Sequence, residues 1–272
     1  MSASVGPTPS LETSAAAAQR GAVIVTGAGA GIGAAAARRL AADGRRVVVV
    51  DIAGDTARAV ADDLEHAVAV EADVSSEAGV AAYMDAALTT FGAIDGLFLN
   101  AGVVSGSPLI ESSADDFDRV VAINLRGVFL GLRDGLRHFR DAGHGGAIVV
   151  TASTSSVSGS VLAAYGATKH AVAGLVKTAA LQGAPLGVRV NAIAPGPTDT
   201  SILRAPEELL GGGEEARLTL AAATPLGREQ GRYGRPEEVA AAVAFLLGDE
   251  ASWMTGTLVP VDGGLLAKDP YT

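Results

Sequence analysis

The sequence predicts an α/β protein, a single doubly wound domain whose seven-stranded parallel sheet carries helices on both faces. From Ala22 onward, short β-branched runs alternate with longer stretches rich in alanine and leucine, which is the pattern of strands and crossover helices. The strand runs are continuously apolar, as expected of strands buried on both faces. A length of 272 residues suits one such domain, and neither an internal repeat nor a linker divides it.

The predicted elements follow one another in strand–helix order. Strands are predicted at residues 22–26, 46–51, 67–71, 94–100, 147–152, 188–193 and 257–261, and helices at 31–43, 55–65, 76–91, 113–140, 163–183 and 236–247. Residues 1–19 are predicted to form a flexible tail before the domain of residues 20–272. The connection at about 196–235 is long for a loop, which predicts a substrate lid, with an ordered surface insertion as the alternative.

The composition narrows the classes of function. With 20 Lys and Arg residues against 30 Asp and Glu, the net charge of −10 disfavours nucleic acid and anionic membranes as partners. The absence of cysteine excludes disulfides and thiolate metal sites, and the four histidines have no paired ligand spacing, so no metal is expected. The chain has no apolar run of membrane-spanning length and no signal-peptide pattern, which predicts a cytoplasmic protein.

A glycine-rich turn connects the first predicted strand to the first helix. The turn contains Gly27, Gly29, Gly31 and Gly33, together with Ile32. Its glycines allow the backbone to turn tightly and to approach a pyrophosphate. The N–H groups and the dipole of the helix start favour the negative charge of that group. The generic fingerprint fits this run in more than one register, so a turn without a ligand is the alternative. The strand–turn–helix context favours a Rossmann-type dinucleotide site.

Asp51 ends the second predicted strand, 20 positions after Gly31. An acidic side chain there accepts hydrogen bonds from the adenosine ribose hydroxyls, although a carboxylate that caps the next turn is the alternative. A 2′-phosphate would meet this carboxylate with no cation at Ala28, Ala30 or Ile52 to offset it. Unit charges about 5 Å apart at an effective dielectric near ~20 repel by roughly 3 kcal/mol, which gives a preference of about a hundredfold. The sequence therefore predicts NAD rather than NADP.

Tyr165 and Lys169 lie four residues apart in a predicted helix, so they share one face. Such a pair is common by chance on a solvated surface. Oxidation of an alcohol, however, needs a base near the hydroxyl, and a tyrosine with a pKa of about 10 is mostly protonated at neutral pH. A unit positive charge about 4 Å away contributes roughly 4 kcal/mol, or about three pKa units. Lys169, helped by the positive nicotinamide, is expected to bring the pKa of Tyr165 near working pH.

These motifs, in their order and approximate spacing, resemble the classical short-chain dehydrogenase/reductase family over nearly all of the chain after the tail. The resemblance implies cofactor contacts, beyond the glycine turn and Asp51, at Ile52, Asp73, Val74, Asn100, Ala101, Gly102, Tyr165, Lys169, Pro195, Gly196, Thr198 and Thr200. It implies a catalytic tetrad of Asn124, Ser153, Tyr165 and Lys169. In that tetrad Ser153 holds the substrate oxygen, Tyr165 transfers the proton, Lys169 binds the nicotinamide ribose, and Asn124 holds a water of the proton relay.

The spacing before the tyrosine departs from the family pattern. Ser153 precedes Tyr165 by 12 residues, one fewer than is usual, and Ser155 and Ser156 are the alternatives for its role. The missing residue is expected between Gly159 and Tyr165, where it alters the pocket wall more than the chemistry. The substrate pocket is predicted from loops that are mostly apolar or small, with Val103, Val104, Ser155, Leu162, Pro197 and Ile202 as its candidate residues.

The resemblance implies an NAD-dependent oxidoreductase that interconverts a secondary alcohol and a ketone, with Tyr165 as general acid and base. A lyase or epimerase that uses NAD, and a noncatalytic dinucleotide sensor of the same fold, are the alternatives. The apolar pocket favours a medium-sized, partly apolar substrate without a phosphate. The resemblance also implies a homotetramer, in keeping with the hydrophobic fraction of 49%.

Overall fold

A computed structural model describes residues 21–105 and 108–267, and the predicted tail at residues 1–19 lies outside the described residues. The described part contains a seven-stranded sheet in the order β3-β2-β1-β4-β5-β6-β7, and every neighbouring pair is parallel. Its strands are β1 (Ala22–Thr26), β2 (Arg46–Asp51), β3 (Ala67–Glu71), β4 (Ile94–Leu99), β5 (Gly146–Thr151), β6 (Val188–Pro195) and β7 (Leu258–Val261). The strand order reverses at β1, which confirms the predicted doubly wound, Rossmann-like fold.

The sheet lies between two layers of helices. One layer packs on one face through α3 (Glu77–Phe91), α5 (Gly127–Ala142) and α6 (Ala163–Gly183). The other packs on the opposite face through α1 (Gly31–Ala42), α2 (Gly54–Asp62) and α10 (Pro236–Leu247). Strand β2 shows why both layers form, because its four consecutive valines at positions 47–50 are all fully buried and alternate between the two faces.

The helix predicted at residues 113–140 is interrupted, and this prediction was wrong in detail. The structure has α4 (Ala114–Val121), a π-helical segment (Ala122–Arg126) and then α5. The segment holds Asn124, whose fully buried amide bonds to backbone of a neighbouring loop rather than to solvent. Apolar periodicity continues across this insertion, so the sequence carries no signal of it.

The predicted lid at residues 196–235 is largely helical. It contains α7 (Arg204–Leu209), α8 (Gly213–Ala221) and α9 (Pro225–Gln230). An isolated parallel bridge between Thr198 and Gly234 closes its base, where the N–H of Asp199 donates to the carbonyl of Gly234. No clear helical period is visible in this stretch because each of its helices has at most nine residues.

The remaining predicted boundaries differ from the observed ones by a few residues, which is most evident at α2. This helix was predicted to reach residue 65 but ends at Asp62, before His66 adopts a left-handed conformation with φ of 58°. Strand β6 continues to Pro195 because its last residues pair with β7. Across residues 21–105 and 108–267, no helix combines the length and the apolar character needed to cross a membrane.

Candidate active site

A cavity of about 400 Å³ opens at the carboxyl ends of β1, β4, β5 and β6. Ligands of doubly wound sheets bind at this edge, where the strand order reverses. The predicted site residues that line it are Gly27, Gly31, Ile32, Asp51, Asn100, Ala101, Gly102, Val104, Ser153, Ser155, Leu162, Tyr165, Lys169, Pro195, Gly196, Pro197, Thr198, Thr200 and Ile202. One cavity therefore unites the expected cofactor turn, the expected tetrad residues other than Asn124, and most of the expected substrate pocket.

The glycine turn forms the floor of one end of the cavity. Gly27 and Gly31 have φ of 61° and 53°, in the left-handed region that glycine adopts without strain. Helix α1 begins at Gly31, its N-cap Ala30 supplies no side-chain oxygen, and its first turn contains no acidic residue. The first N–H groups of α1 are therefore not capped by a side chain of the described residues, and this arrangement fits a pyrophosphate.

Gly33 permits α1 to pack directly on the turn. A Cβ atom at this position would lie 2.1 Å from the carbonyl oxygen of Gly27 and 2.8 Å from Nδ2 of Asn100. Both neighbours are held in place, because the Nδ2 group of Asn100 donates to the carbonyls of Thr26 and Gly27. A side chain therefore cannot be added without moving the helix start away from the turn.

Gly33→Ala is expected to lower the free energy of unfolding by about 1–3 kcal/mol, because overpacking displaces the backbone, and to weaken NADH binding. Urea denaturation and NADH fluorescence titration measure the two effects. Gly174→Ala is the matched control, since Gly174 lies in α6 with no atom within 4 Å of an added Cβ. That variant should gain about 0.5–1 kcal/mol from helix propensity. Equal stability changes in the two variants would contradict the packing role of Gly33.

Asp51 lies at the same end of the cavity. Its Oδ2 accepts the N–H of Gly29 at 2.9 Å, and its Oδ1 accepts the N–H of Ala53 at 3.0 Å. The carboxylate thus caps the turn after β2, as the alternative interpretation required, and also fixes the glycine turn. Each oxygen retains a lone pair for a further donor. Among the described residues that line the cavity, the charged ones are Asp51 and Lys169.

Ser153 and Tyr165 meet at the other end of the cavity. The hydroxyl of Ser153 lowers the pKa of Tyr165, but burial has the larger effect and raises that pKa above its usual value. The Oγ atom of Ser153 also accepts the N–H of Ser155 at 3.1 Å. Ser156 is not available for the same role, because its hydroxyl donates to the carbonyl of Lys169 at 2.8 Å. The shortened spacing therefore leaves Ser153 in contact with the tyrosine.

Residues 160–162 form the loop in which the shortening was expected. The hydroxyl of Ser160 accepts the N–H of Leu162 at 3.1 Å and donates to its carbonyl at 3.3 Å. A Cβ at Gly166 would lie 2.8 Å from the Cβ of Ser160, so the loop packs tightly on the start of α6. Leu162 and Val161 both line the cavity, which makes this loop part of the pocket wall.

Lys169 lies one turn after Tyr165 and is buried. Its Nζ donates to the carbonyl of Thr151 at 2.7 Å and lies 5.5 Å from the centroid of the Tyr165 ring. Burial lowers the pKa of Lys169 to about 8. The expectation that Lys169 brings the pKa of Tyr165 down to working pH is wrong for the protein alone, because burial of the phenol dominates. Sequence spacing does not reveal such burial.

Asn124 lies beneath the cavity rather than in its wall. Its Oδ1 accepts the N–H of Val103 and its Nδ2 donates to the carbonyl of Val103, both at 2.8 Å. A Cβ at Gly102 would stand 3.4 Å from Oδ1 of Asn124 and 3.8 Å from Nζ of Lys169, so Gly102 lies between the two side chains. The amide thereby fixes the loop after β4. Its expected role in holding a water stays a prediction.

Several predicted residues lie outside the cavity wall: Gly29, Gly33, Ile52, Asp73, Val74, Val103 and Asn124. Asp73 is exposed, and its Oδ1 accepts both the N–H and the hydroxyl of Ser75. Val74 instead borders a small cavity next to α5. The wall also includes residues that the sequence did not indicate, namely Thr151, Thr154, Pro206, Leu220 and Leu265. The last two come from elements distant in sequence, so no local pattern could have identified them.

The sequence of this chain is similar to those of known oxidoreductases. A family model described as enoyl-(acyl carrier protein) reductase matches residues 27–266. The chain is 43% identical to the cis-4-hydroxycyclohexanecarboxylate dehydrogenase of Sinomonas cyclohexanicum over 90% of this chain and 96% of the relative. The chain belongs to the short-chain dehydrogenase/reductase family. As a member of that family it is also 38% identical to the cyclohexanol dehydrogenase of an Acinetobacter strain, over 90% of this chain and 94% of the relative.

The crystal structure of levodione reductase superimposes with a TM-score of 0.85 at 40% identity and covers 92% of this chain and 98% of that chain. This likeness confirms the predicted family and fold. The relatives are named for dehydrogenation of hydroxyl compounds or for reduction. They confirm the expected class, an oxidoreductase that interconverts a secondary alcohol and a ketone, and do not favour the lyase, epimerase or sensor alternatives.

Proposed function

We propose that this short-chain dehydrogenase/reductase uses NAD to interconvert a small cyclic secondary alcohol and its ketone. The observation that carries the proposal is the cavity that has Ser153 and Tyr165 at one end and the Asp51 carboxylate at the other. The names of two relatives, which refer to cyclohexane compounds, support a ring substrate.

The residues along the cavity, from the Asp51 end to Lys169, fit the cofactor. The first turn of α1 would hold the pyrophosphate, Asp51 and Ile52 the adenosine ribose, and Asp73 and Val74 the adenine. Asn100, Ala101, Gly102, Lys169 and the segment from Pro195 through Gly196 and Thr198 to Thr200 would hold the nicotinamide riboside. When bound, NAD accepts a hydride from the substrate carbon and NADH donates one. The protein supplies orientation and moves the proton.

Tyr165 is the proposed general acid and base. Because burial raises its pKa, the phenol is protonated at neutral pH and able to donate its proton to a ketone oxygen. Ser153, which lines the same end of the cavity, would hold that oxygen by a second hydrogen bond. In the reverse direction the phenolate accepts the proton of the substrate hydroxyl.

The proposed preference for NAD rests on the charge of Asp51. Asp51→Asn keeps the shape and one acceptor oxygen but removes the negative charge that would face a 2′-phosphate. The ratio of kcat/KM with NAD to kcat/KM with NADP is expected to fall by about a hundredfold, equivalent to roughly 3 kcal/mol of repulsion. Initial rates with each cofactor at one substrate concentration measure this ratio.

Asp55→Asn is the control for a general effect of charge. Asp55 lies exposed in the first turn of α2 and pairs with Arg58, but it does not line the cavity. The cofactor ratio of this variant should equal that of the wild type. An Asp51→Asn enzyme that kept the original ratio would refute the assignment of Asp51 as the selector.

The substrate end of the cavity supports a partly apolar ring. Its wall includes Val104, Val161, Leu162, Ile202, Leu203, Pro206, Leu220 and Leu265. Within the described wall, the only cation is Lys169, which is already bonded to Thr151. A phosphorylated substrate would therefore meet no counter-charge. The decisive test is an NADH-absorbance assay with cyclohexanol, cyclohexanone and substituted ring alcohols; no turnover of any ring compound would refute the proposal.

We also propose a homotetramer. Apolar side chains on the outer surfaces of its helices are exposed, among them Phe117 on α4, Phe129 on α5 and Leu181 on α6. Packing between subunits would remove this apolar surface from water. Light scattering after gel filtration measures the mass of the assembly. The cytoplasmic location expected from the sequence stays a prediction.

A further inference from the structure

Six of the eight residues at positions 153–160, in the loop after β5, carry a hydroxyl group; the other two are Val157 and Gly159. Four of the six have side-chain partners. The hydroxyl of Ser153 accepts the N–H of Ser155, and that of Ser156 donates to the carbonyl of Lys169. The other two with partners are Ser158, which donates to the carbonyl of Thr154, and Ser160, which bonds to Leu162.

Thr154 and Ser155, here called the hydroxyl pair, are the exceptions. Both line the cavity. Within residues 21–105 and 108–267, neither side-chain hydroxyl forms a hydrogen bond, although the backbone groups of both residues do. Thr154 is only 7% exposed, and Ser155 is half-buried. The hydroxyl pair therefore offers hydrogen-bonding capacity inside the pocket, directly after the serine that contacts Tyr165.

A substrate that fills the pocket excludes water from these hydroxyls. A hydroxyl that loses its water without gaining a partner is destabilised, whereas an oxygen on the substrate restores the bond. Sites that hydrogen-bond a substrate hydroxyl therefore discriminate against analogues that lack it. Ser201 on the lid also lines the cavity without a side-chain partner among the described residues, but it is exposed and its hydroxyl stays hydrated.

The charge of the wall limits the kind of group that the pair can bind. Asp51 belongs to the opposite end of the cavity, and Lys169 is engaged with Thr151. A carboxylate beside the hydroxyl pair would thus lack a cation to offset its desolvation. A neutral hydroxyl or carbonyl oxygen carries no such penalty and matches groups that both donate and accept.

We propose that Thr154 and Ser155 are specificity-determining residues that bind a second, neutral oxygen of the substrate, distinct from the oxygen held by Ser153 and Tyr165. The substrate class is accordingly a ring ketone or alcohol that carries another hydroxyl or carbonyl group. This inference rests on the proposed function and refines its substrate.

The test compares the isomeric hydroxycyclohexanones, each beside the methylcyclohexanone with the same substitution pattern, by NADH oxidation. The methyl group replaces the hydroxyl at similar size. For at least one isomer, the wild type should favour the hydroxyl compound by about tenfold in kcat/KM. Thr154→Val or Ser155→Ala should reduce this preference severalfold, and the double variant should abolish it. Because the readout is a ratio, a general change in turnover cancels.

Thr178→Ala is the control for loss of a hydroxyl, since Thr178 is exposed, lies in α6 and does not line the cavity. Its preference should equal that of the wild type. If the wild type reduces ring ketones with no preference for any hydroxyl isomer, the proposed role of the hydroxyl pair is refuted and the proposed function still stands. The same conclusion follows if the double variant keeps the preference. A wild type that reduces none of the ring ketones refutes the proposed function and this inference with it.

Discussion

Tyr165→Phe should lower kcat for ketone reduction by a factor of about 10²–10⁴, the range that a positioned acid or base contributes. The substitution removes one oxygen and keeps the ring that lies beside Nζ of Lys169. NADH affinity should stay near the wild-type value, because the glycine turn and Asp51 lie at the other end of the cavity. Steady-state rates and fluorescence titration with NADH separate the two properties.

Tyr83→Phe provides the control for removal of a buried phenol hydroxyl. Tyr83 lies in α3, is only 1% exposed and does not line the active-site cavity. Its variant should retain kcat even if its stability falls by about 1 kcal/mol. Substantial turnover by Tyr165→Phe, or an equal loss in both variants, would remove Tyr165 from the mechanism.

Lys169→Met should reduce kcat by about a hundredfold. A unit charge 5.5 Å from the tyrosine ring contributes roughly 3 kcal/mol at an effective dielectric near ~20, which corresponds to about two powers of ten in rate. Methionine keeps much of the apolar volume but loses the ammonium. Lys177→Met, an exposed change in the same helix, is the control and should retain full activity. Wild-type turnover by Lys169→Met would show that the ammonium charge is not used.

The same variant gives a pH-dependent signature. Because burial lowers the pKa of Lys169 to about 8 from the ordinary 10.5, the folded state releases this proton first as pH rises. Between these two pH values the unfolded state binds more protons, so the stability of the wild type relative to Lys169→Met should rise. Urea denaturation without cofactor at pH 7 and at pH 9.5 measures this difference. A constant difference would mean that the amine titrates normally.

The sequence was most informative where function depends on local backbone geometry. The glycine turn, Asp51 and the Tyr165–Lys169 spacing are each encoded within a few residues, and all of them contribute to one cavity. Continuous apolar runs likewise predicted the seven strands, because burial on both faces leaves little room for alternation.

The features that the sequence could not predict depend on contacts between distant segments. Burial raises the pKa of Tyr165, and the amide of Asn124 finds its partner at Val103, 21 residues away in sequence. Leu220 and Leu265 reach the cavity from the helical segment at residues 196–235 and from the end of the described chain. The π-helical segment is likewise not recognisable from the spacing of apolar residues along the sequence. Local patterns carry no information on such long-range packing.

The bridge between Thr198 and Gly234 has a consequence for how enzymes of this architecture diversify. Both ends of the intervening segment are held at one point, so a change in its length or helices leaves the sheet and the end of β6 in place. The closure entropy of such a loop grows only slowly, by about 0.6 kcal/mol for each doubling of length. Leu203 and Pro206 reach the cavity from this segment, whereas Tyr165 and Lys169 reach it from α6. The part of the wall that the segment supplies is thus structurally separate from the residues proposed to transfer the proton.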